Sequence, residues 1–423
     1  MNHDDMSEST PPRRSRPHAT TPVGSAQGAF EATAPRTIDT SAGGLRNGAN
    51  RCPSCGGSDI GHQVGTDLLT CGHCRHAWQA ERVEEAFGLG AGIGQLEGTV
   101  VASGARQIAA GAASLMTFHC TGCGAEVTIN TDNALAARCH WCRHVFGINE
   151  QVANGAVPDA VLPFRVTREE AVAHIGAFVR KRRFFARKAF KREFTPGNVV
   201  GVFLPYLIVD AHASADLDGR GEVQTRRHTT GSGGNKKTLY DADVYAVQRH
   251  IDFTVDDLPL ESSRQRGNLD TRTNTNHIIN SILPFDTKNA VKWDASYLAG
   301  MSSEKRDLDI AQLRPRLEDQ LLSIARAQVE SSTGKYDRGV CWQHEDVRLH
   351  GTRWVSMLLP VWLYSWSQPG SNGDMLHYIA VNGRTGETMG SVPVQRWKLL
   401  LASLVVGALA EVPFLMLVQA WRR

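Results

Sequence analysis

The sequence has no strong excess of charge of either sign, and it lacks the short motifs that mark common catalytic sites. Its 46 Lys and Arg residues nearly balance 43 Asp and Glu residues, which gives a net charge of +3. Overall charge therefore predicts no anionic partner, and any such argument depends on local clusters. G-x-S-x-G, H-E-x-x-H, a Walker phosphate loop and a protease-type cysteine signature are all missing. The sequence predicts that the protein is not an enzyme.

An export signal is also missing from the start of the sequence. Residues 1–10 are polar and acidic, and no apolar segment follows them. Cysteine, by contrast, is well represented: eight of the nine cysteines form four C-x-x-C pairs, and Cys341 stands alone. Paired thiols without an export signal indicate a reducing compartment and metal binding rather than disulfide bonds.

The four cysteine pairs form two copies of the pattern C-x2-C-x15-C-x2-C. Two cysteines on a tight turn can direct both sulfurs at one ion, and a hairpin can bring in a second such turn to complete a tetrahedron. Four thiolates leave no open coordination position, so the sequence predicts two structural zinc ions. The predicted ligands are Cys52, Cys55, Cys71 and Cys74 in the first copy and Cys120, Cys123, Cys139 and Cys142 in the second.

Neighbouring residues support this interpretation and leave two alternatives open. Gly56 and Gly124 follow the second cysteine of each copy, where a positive φ would direct backbone amides at the sulfurs. Adjacent histidines could replace a thiolate, although structural sites prefer complete thiolate sets. An iron–sulfur centre also takes four thiolates, although the hairpin spacing favours zinc. The histidines concerned are His73, His76, His140 and His144.

A basic stretch at 180–192 holds eight Lys and Arg residues among three phenylalanines. Such a stretch could bind nucleic-acid phosphates and stack on bases. It could also contact anionic lipid headgroups, or it could be a solvated helix whose aromatic residues enter the core. The candidate anion-binding residues are Arg180, Lys181, Arg182, Arg183, Arg187, Lys188, Lys191 and Arg192.

Polar residues also alternate along one predicted strand, at Asp210, His212, Ser214, Asp216 and Asp218. Alternate residues of a strand share a face. A metal or acid–base site is conceivable there, but the period favours a half-exposed strand with its polar face toward water.

The segment 399–418 has twenty residues with one charge, Glu411, and one proline, Pro413. As a helix it would span about 30 Å, the thickness of the hydrocarbon core of a bilayer. Trp and basic residues flank it on both sides, as they do at membrane interfaces. The sequence predicts a transmembrane helix over 397–420 that contacts membrane lipid. The alternative is an amphipathic or buried core helix, which Glu411 favours.

Composition divides the chain into segments of an α+β multidomain protein. Two small zinc-ribbon β-hairpin modules precede an α/β body and one C-terminal transmembrane helix. Matching Leu-Pro motifs suggest a duplication within the body, with repeats at 161–255 and 282–393. The predicted order is a disordered segment at 1–50, ribbon 1 at 51–80, a Gly/Ala-rich linker at 81–117, ribbon 2 at 118–150, the body at 151–395 and the membrane helix at 397–420.

Seven stretches within 118–397 carry a family resemblance. They are CTGCG at 120–124, RCHWCRH at 138–144, NGAVPDAVLPF at 154–164, GVFLPY at 201–206, YDRGV at 336–340, LPVWLY at 359–364 and VNGRTGETMG at 381–390. With these stretches the chain resembles bacterial proteins that contain a zinc ribbon of the transcription factor IIB type. The resemblance implies zinc binding and a hydrophobic C-terminal anchor, and it implies no established reaction.

Together these features predict a membrane-tethered zinc-ribbon protein that acts as a non-catalytic binding or scaffold module for an unknown protein partner. Its predicted location is the cell membrane, as a single-pass protein with the ribbons and body on the cytoplasmic side, because zinc thiolates belong in a reducing compartment. The alternative is a soluble nucleic-acid-binding protein associated with transcription, which would use the ribbons and the basic stretch 180–192. A ribbon is a scaffold found in many contexts, so its fold does not decide between them.

Overall fold

The computed structural model describes most of the chain after residue 50. The described residues are 35–38, 51–107 except 58, 90 and 91, the strands at 115–119, 126–130, 136–138 and 145–147, then 158–195, 198–230, 237–263, 282–298, 301–368 except 305, 375–395, 397–407 and 411.

Strands dominate the described chain. In chain order they are β1 Arg36–Ile38, β2 Ile60–His62, β3 Leu69–Cys71, β4 Ala77–Trp78, β5 Gly98–Ala102, β6 Leu115–His119, β7 Glu126–Asn130, β8 Ala136–Arg138, β9 Val145–Gly147, β10 Ala160–Val161, β11 Val200–Thr230, β12 Lys237–Glu261, β13 Val291–Lys292, β14 Ser302–Ser303, β15 Val340–Gln368, β16 Met375–Asn382 and β17 Thr388–Gly390. The helices are α1 Val83–Phe87, α2 Arg168–Arg182, α3 Lys188–Glu193, α4 Ile310–Thr333 and α5 over 397–407.

Three long strands form the centre of the main sheet. β11 pairs antiparallel with β12 on one edge and with β15 on the other, and β16 pairs antiparallel with β15. The order is therefore β12–β11–β15–β16, with β5 and β10 beside β15 as short parallel strands. β11 and β15 separate after the Gly221–Val340 pair, whereas β11 and β12 stay paired as far as Thr230 and Lys237.

Helix α4 covers one face of this sheet. It buries Leu313, Leu317 and Leu321, which are four residues apart and so lie on one side of the helix. Facing them in the same apolar cluster are Ala211 and Ala213 of β11, with other small residues of that strand. Small side chains on the strand let the helix backbone approach the sheet closely, which explains the run of alanines.

Helix α2 begins where the sequence contains a capping box. The Thr167 hydroxyl accepts a hydrogen bond from the Glu170 amide at 3.3 Å, and the Glu170 carboxylate accepts one from the Thr167 amide at 2.8 Å. This arrangement satisfies two amides that have no partner within the helix. The helix then packs Ile175 and Phe178 into a cluster that also contains Trp362 of β15.

The predicted α+β fold class is wrong, because the described chain is mostly β-sheet with few helices. The predicted strand that carries the alternating polar residues from Asp210 to Asp218 is much longer than that pattern, because β11 runs for 31 residues. Its partner β12 adds 25 more residues of strand. Their polar outer parts lack the apolar alternation by which strands are recognised, so local pattern did not reveal their length.

The predicted transmembrane helix and the single-pass membrane location are also wrong. Within the described chain, no helix is both long enough and apolar enough to cross a membrane. The described helical residues at this place are 397–407, which form α5, and 411.

The two Leu-Pro motifs of the proposed repeats lie beside each other in the sheet. Leu204 of β11 is directly opposite Leu359 of β15, and each of these strands forms a hairpin with the strand that follows it. If each copy of the repeat supplies one hairpin and the two copies pair through β11 and β15, the resulting strand order is β12–β11–β15–β16, which is the order in the main sheet. The repeat itself stays a prediction.

Candidate metal centre

The first cysteine pair lies on a tight turn before β2. The Cys52 amide donates to the Gly57 carbonyl at 2.8 Å, and the Gly56 amide donates to the Cys52 carbonyl at 2.8 Å. Gly56 has a φ of 70°, the positive value that the sequence predicts for it. This left-handed residue closes the turn, so that Cys52 and Cys55 lie at its two ends.

The second pair repeats this turn bond for bond. The Cys71 amide donates to the His76 carbonyl at 2.9 Å, and the Arg75 amide donates to the Cys71 carbonyl at 2.9 Å. Arg75 occupies the place of Gly56 and has a φ of 58°. The Gly72 amide donates to the Asp59 carbonyl at 2.7 Å and links this turn to the first one. The two turns therefore present their cysteines in equivalent geometry.

The four sulfurs converge on one point. Every pair of them lies within 4.8 Å, and the closest approaches are 3.5 Å for Cys52 and Cys74 and 3.6 Å for Cys55 and Cys71. A tetrahedral zinc ion with sulfur ligands at 2.3 Å separates those ligands by about 3.8 Å. All four thiols are free of disulfide bonds. This group can therefore hold a metal ion, as the sequence predicts for the first copy.

The pKa of the exposed thiol Cys55 depends on the groups that surround it. The Gly57 amide lowers its pKa, but the neighbouring sulfurs, Cys74 first, and desolvation together raise the pKa to about 12. A metal ion reverses this balance because it binds the thiolate form. Cys52 and Cys71 are buried and Cys74 is exposed, so the centre lies at the surface with half of its sulfurs covered.

The hairpin that carries the centre packs into the core of the body. Ile60 and Leu69 are fully buried in the same cluster as Phe164 and Trp362, and Trp78 packs against that cluster. Burial of two such side chains contributes roughly 3 to 6 kcal/mol. The cysteine centre is thus fixed to the sheet rather than suspended on a linker.

Polar contacts strengthen this attachment. The Tyr297 hydroxyl accepts from the Ala80 amide at 3.2 Å and donates to the Asp67 carbonyl at 3.1 Å. The Asp67 carboxylate pairs with the guanidinium of Arg384, whose side chain is buried. Arg384 also contacts Asp286 at 3.1 Å. The loop between β2 and β3 is therefore held by the body through both a neutral and a charged pair.

The second predicted ligand set lies outside the described residues, as do His140 and His144. The described strands bracket it: β6 pairs antiparallel with β7, and β8 pairs antiparallel with β9. One ligand pair falls between the strands of each hairpin, at 120–123 and at 139–142. His73 and His76, by contrast, are described and exposed, and neither belongs to the group of converging sulfurs.

The basic stretch forms the end of α2, the following turn and α3. Seven of its eight cationic side chains are exposed, Lys191 is half-buried, and Phe184 is 70% exposed. Desolvation lowers the pKa of Lys191, and the nearby charges of Lys398, Arg183 and Lys188 lower it further. The stretch is therefore a concentrated positive surface, and only Phe190 of its three phenylalanines is buried.

The structure also brings three carboxylates together: the oxygens of Asp210, from the predicted polar strand, and of Asp256 and Asp257 lie within 4.8 Å of one another. Burial raises the pKa of Asp210 to about 6, although the Asp257 amide donates to it at 3.0 Å and Arg353 lies at 3.3 Å. Asp257 has a φ of 56° beside an irregularity in the β11–β12 register.

Comparison with known proteins adds one similarity. No family model and no solved structure matches the chain. Over 252 residues, 59% of this chain, it is 22% identical to YdjG, an uncharacterised protein of Bacillus subtilis (strain 168), and the match covers 67% of that protein. This similarity assigns neither a family nor a function to the chain.

Proposed function

We propose that the chain is a zinc-ribbon protein that acts as a non-catalytic binding or scaffold module. The observation that supports this most strongly is the closed set of four cysteine sulfurs on two equivalent turns. Four thiolates fill the coordination shell of zinc, so the metal fixes a shape rather than activating water. The shape it fixes is a hairpin that already shares a core with the body.

A second zinc ion in this proposal binds Cys120, Cys123, Cys139 and Cys142. Two antiparallel strand pairs support it, because each would bring one C-x-x-C pair to its connecting turn. The spacing is the same as in the first copy. Zinc is favoured over iron–sulfur chemistry because two hairpin turns suit a tetrahedral single ion.

Metal analysis of the purified full chain tests the stoichiometry. We expect two zinc ions in the unaltered chain and one in each of the variants Cys55→Ser and Cys123→Ser. Cys341→Ser is the matched control, because Cys341 is an exposed lone thiol, and it should retain two. If the unaltered chain bound one zinc ion and Cys55→Ser bound none, only the first of the two proposed sites would bind zinc.

Cobalt substitution tests the non-catalytic role. Cobalt bound by four thiolates gives intense sulfur-to-metal charge-transfer bands and a tetrahedral spectrum. Since a closed shell offers no position to an added ligand, azide should leave this spectrum unchanged. A shift with azide would reveal an open position and would contradict the proposal.

Nucleic-acid binding is the second candidate function. It is favoured by the exposure of seven basic side chains in one stretch, by the exposed ring of Phe184, and by the positive neighbours of Lys191, which add to the lowering of its pKa by desolvation. Exposed cations of this density attract phosphates through counterion release. An exposed aromatic ring among them could stack on a base.

A binding titration with duplex DNA and with single-stranded RNA tests this candidate at several salt concentrations. If the stretch binds phosphates, replacing residues 180–183 by Ala should weaken binding and reduce the salt slope by up to about 0.9 for each lost contact to duplex DNA. A charge-matched control replaces four exposed cations elsewhere, and its slope should not change. The control positions are Arg220, Arg226, Arg227 and Lys335.

A further inference from the structure

The face of the β12–β11–β15 sheet that turns away from α4 is lined by histidine and carboxylate side chains. β11 alternates between alanines that face α4 and the polar residues His212, Ser214 and Asp216. The strand register places Asp252 of β12 directly opposite Ser214. This face was expected to be an ordinary solvated strand surface, but Ser214 is only 5% exposed.

An irregularity in β15 adds another histidine to this face. His212 pairs with Gly351, and the next residue, Ala213, pairs with Leu349, so His350 is left without a partner in the ladder. Such an extra residue bends a strand and redirects its side chain. The His350 ring thereby lies 4.8 Å from the His212 ring, measured between centroids, and its Nε2 lies 2.9 Å from the Ser214 hydroxyl.

The Asp252 carboxylate lies between the two imidazoles. Its Oδ1 is 3.2 Å from His212 Nε2, and its Oδ2 is 3.8 Å from His350 Nε2. Nitrogen and oxygen ligands of one zinc-like ion bind at 2.0–2.2 Å and are therefore about 3.0 to 3.5 Å apart. The first pair already has this separation. The second pair is longer, so binding of one ion by all three side chains requires the His350 ring to move toward Asp252, at the cost of its contact with Ser214.

Burial leaves only one nitrogen of His212 available. Its Nδ1 is buried without a hydrogen-bond partner among the described residues, so the ring can act only through Nε2. The side chains of His212, His350 and Asp252 are 18%, 40% and 60% exposed, and an ion from solvent can reach them. All three come from paired strands of the main sheet, which gives them a rigid support.

The surrounding charges favour a cation. Asp216 lies on the same face and is shared by His250 at 2.7 Å and Arg348 at 3.2 Å. Arg348 also contacts Asp346 at 3.3 Å. On this face Arg348 is thus offset by Asp216 and Asp346, and Arg353 is paired with Asp210 at 3.3 Å, before Asp252 is counted. A divalent ion bound at Asp252 would meet an environment of negative charge.

We propose that His212, His350 and Asp252 bind one divalent transition-metal ion, separately from the cysteine centre. Two imidazoles and one carboxylate suit zinc, nickel, copper or iron rather than magnesium or calcium, which prefer oxygen ligands. Three protein ligands leave positions open to water or to a group of another molecule. Nickel is a suitable probe because it favours these ligands over a filled site of four thiolates.

Calorimetric titration of nickel into the zinc-loaded full chain tests this site. We expect one nickel ion per chain in the unaltered protein, and affinity at least about tenfold weaker in His212→Ala and His350→Ala, since the loss of even an outer-shell partner costs 10- to 100-fold. Asp252→Asn should weaken binding with little change in shape. His228→Ala is the matched control, because His228 has an aspartate neighbour at 3.7 Å but lies on the outer part of the hairpin.

Proton NMR of the imidazole signals supplies a second readout. Paramagnetic nickel should broaden the His212 and His350 signals first and leave the His228 signal sharp. If the zinc-loaded chain takes up no nickel, or if His212→Ala and Asp252→Asn bind it as tightly as the unaltered chain, the site does not exist. Should an alanine variant fail to fold, Asp252→Asn and the NMR signals of the unaltered chain still decide.

Discussion

At the scale of single residues, the two cysteine turns depend on a left-handed backbone that only one of them obtains from glycine. Gly56 and Arg75 have φ values of 70° and 58° at equivalent positions. A residue with a side chain is less stable in this conformation by roughly 1 to 2 kcal/mol. The second turn accepts this cost at Arg75, and its bonds from Cys71 to His76 hold the residue in place.

Gly56→Ala should therefore destabilise the protein by about 1 kcal/mol or more. An added Cβ would meet no atom within 4 Å, so the effect would come from backbone strain alone. Gly334→Ala is the control, because Gly334 has a φ of –58° and an added Cβ would make only an ordinary contact, with the Ser331 carbonyl oxygen at 3.9 Å. It should be neutral or stabilising by up to about 1 kcal/mol. Urea unfolding of both variants measures the difference.

His62 should make stability depend on pH. Burial lowers its pKa below the usual range, and this outweighs the Thr66 carbonyl, which raises it. The folded state thus favours the neutral ring, so this contribution is complete above about pH 6.5, the unfolded pKa, and is lost as the pH falls below that value. Thermal unfolding at pH 7.5 and 5.5 should show a larger loss for the unaltered chain than for His62→Gln. Equal losses would remove His62 as the cause.

At the scale of elements, α4 and the alanines of β11 form a close helix–sheet contact. Leu313, Leu317 and Leu321 are fully buried there. The sequence reveals the helix, because apolar residues recur every four positions, but not its target. The alanines of β11 and the leucines of α4 do not indicate in the sequence that they pack against each other, because this contact depends on the path of the chain between the strand and the helix.

Leu317→Ala should lower the free energy of unfolding by about 2 to 5 kcal/mol, because it leaves a cavity between α4 and the sheet. Gln328→Ala, on an exposed position of the same helix, should change it by no more than about 0.5 kcal/mol. Denaturant unfolding compares the two. Similar values for both would mean that the helix does not rest on β11.

The features that the sequence could predict depend on neighbouring residues, and the features that it could not predict depend on contacts between distant parts of the chain. The spacing of Cys52, Cys55, Cys71 and Cys74 is enough to predict their convergence, because both turns are complete within a few residues. The capping box at Thr167 is equally local. The position of His350 beside His212, by contrast, depends on one extra residue in a strand some 140 positions away. Register across such a distance leaves no trace in the neighbouring sequence.

At the scale of the whole molecule, the metal centre and the main sheet share one core. Ile60 and Leu69 of the cysteine hairpin lie in the cluster that contains Trp362. A domain on a flexible linker would lose its metal without effect on its neighbours. Here the hairpin cannot unfold without exposing part of the body.

Removal of the metal should therefore lower the main unfolding temperature rather than create a separate early transition. Ligand binding stabilises whatever unit must unfold for its release. Calorimetric scans of the zinc-loaded chain, the chelator-treated chain and Cys55→Ser test this. A main transition at the same temperature in all three would show that the hairpin is energetically independent of the sheet.

The separation of β11 from β15 after Gly221 also has a kinetic consequence. Just beyond this point the segment 337–339 still holds Glu222 and Gln224 of β11. Past Gln224, β11 and β12 continue as a two-stranded ribbon with neither a third strand nor α4 beside it among the described residues. A two-stranded ribbon is only marginally stable alone. We therefore expect this outer part of the two strands to open locally more often than the rest of the sheet. Deuterium uptake should rise stepwise along β11, slow at Ala213 and fast at Arg227. The same strand would thus record both the most and the least protected amides of the sheet.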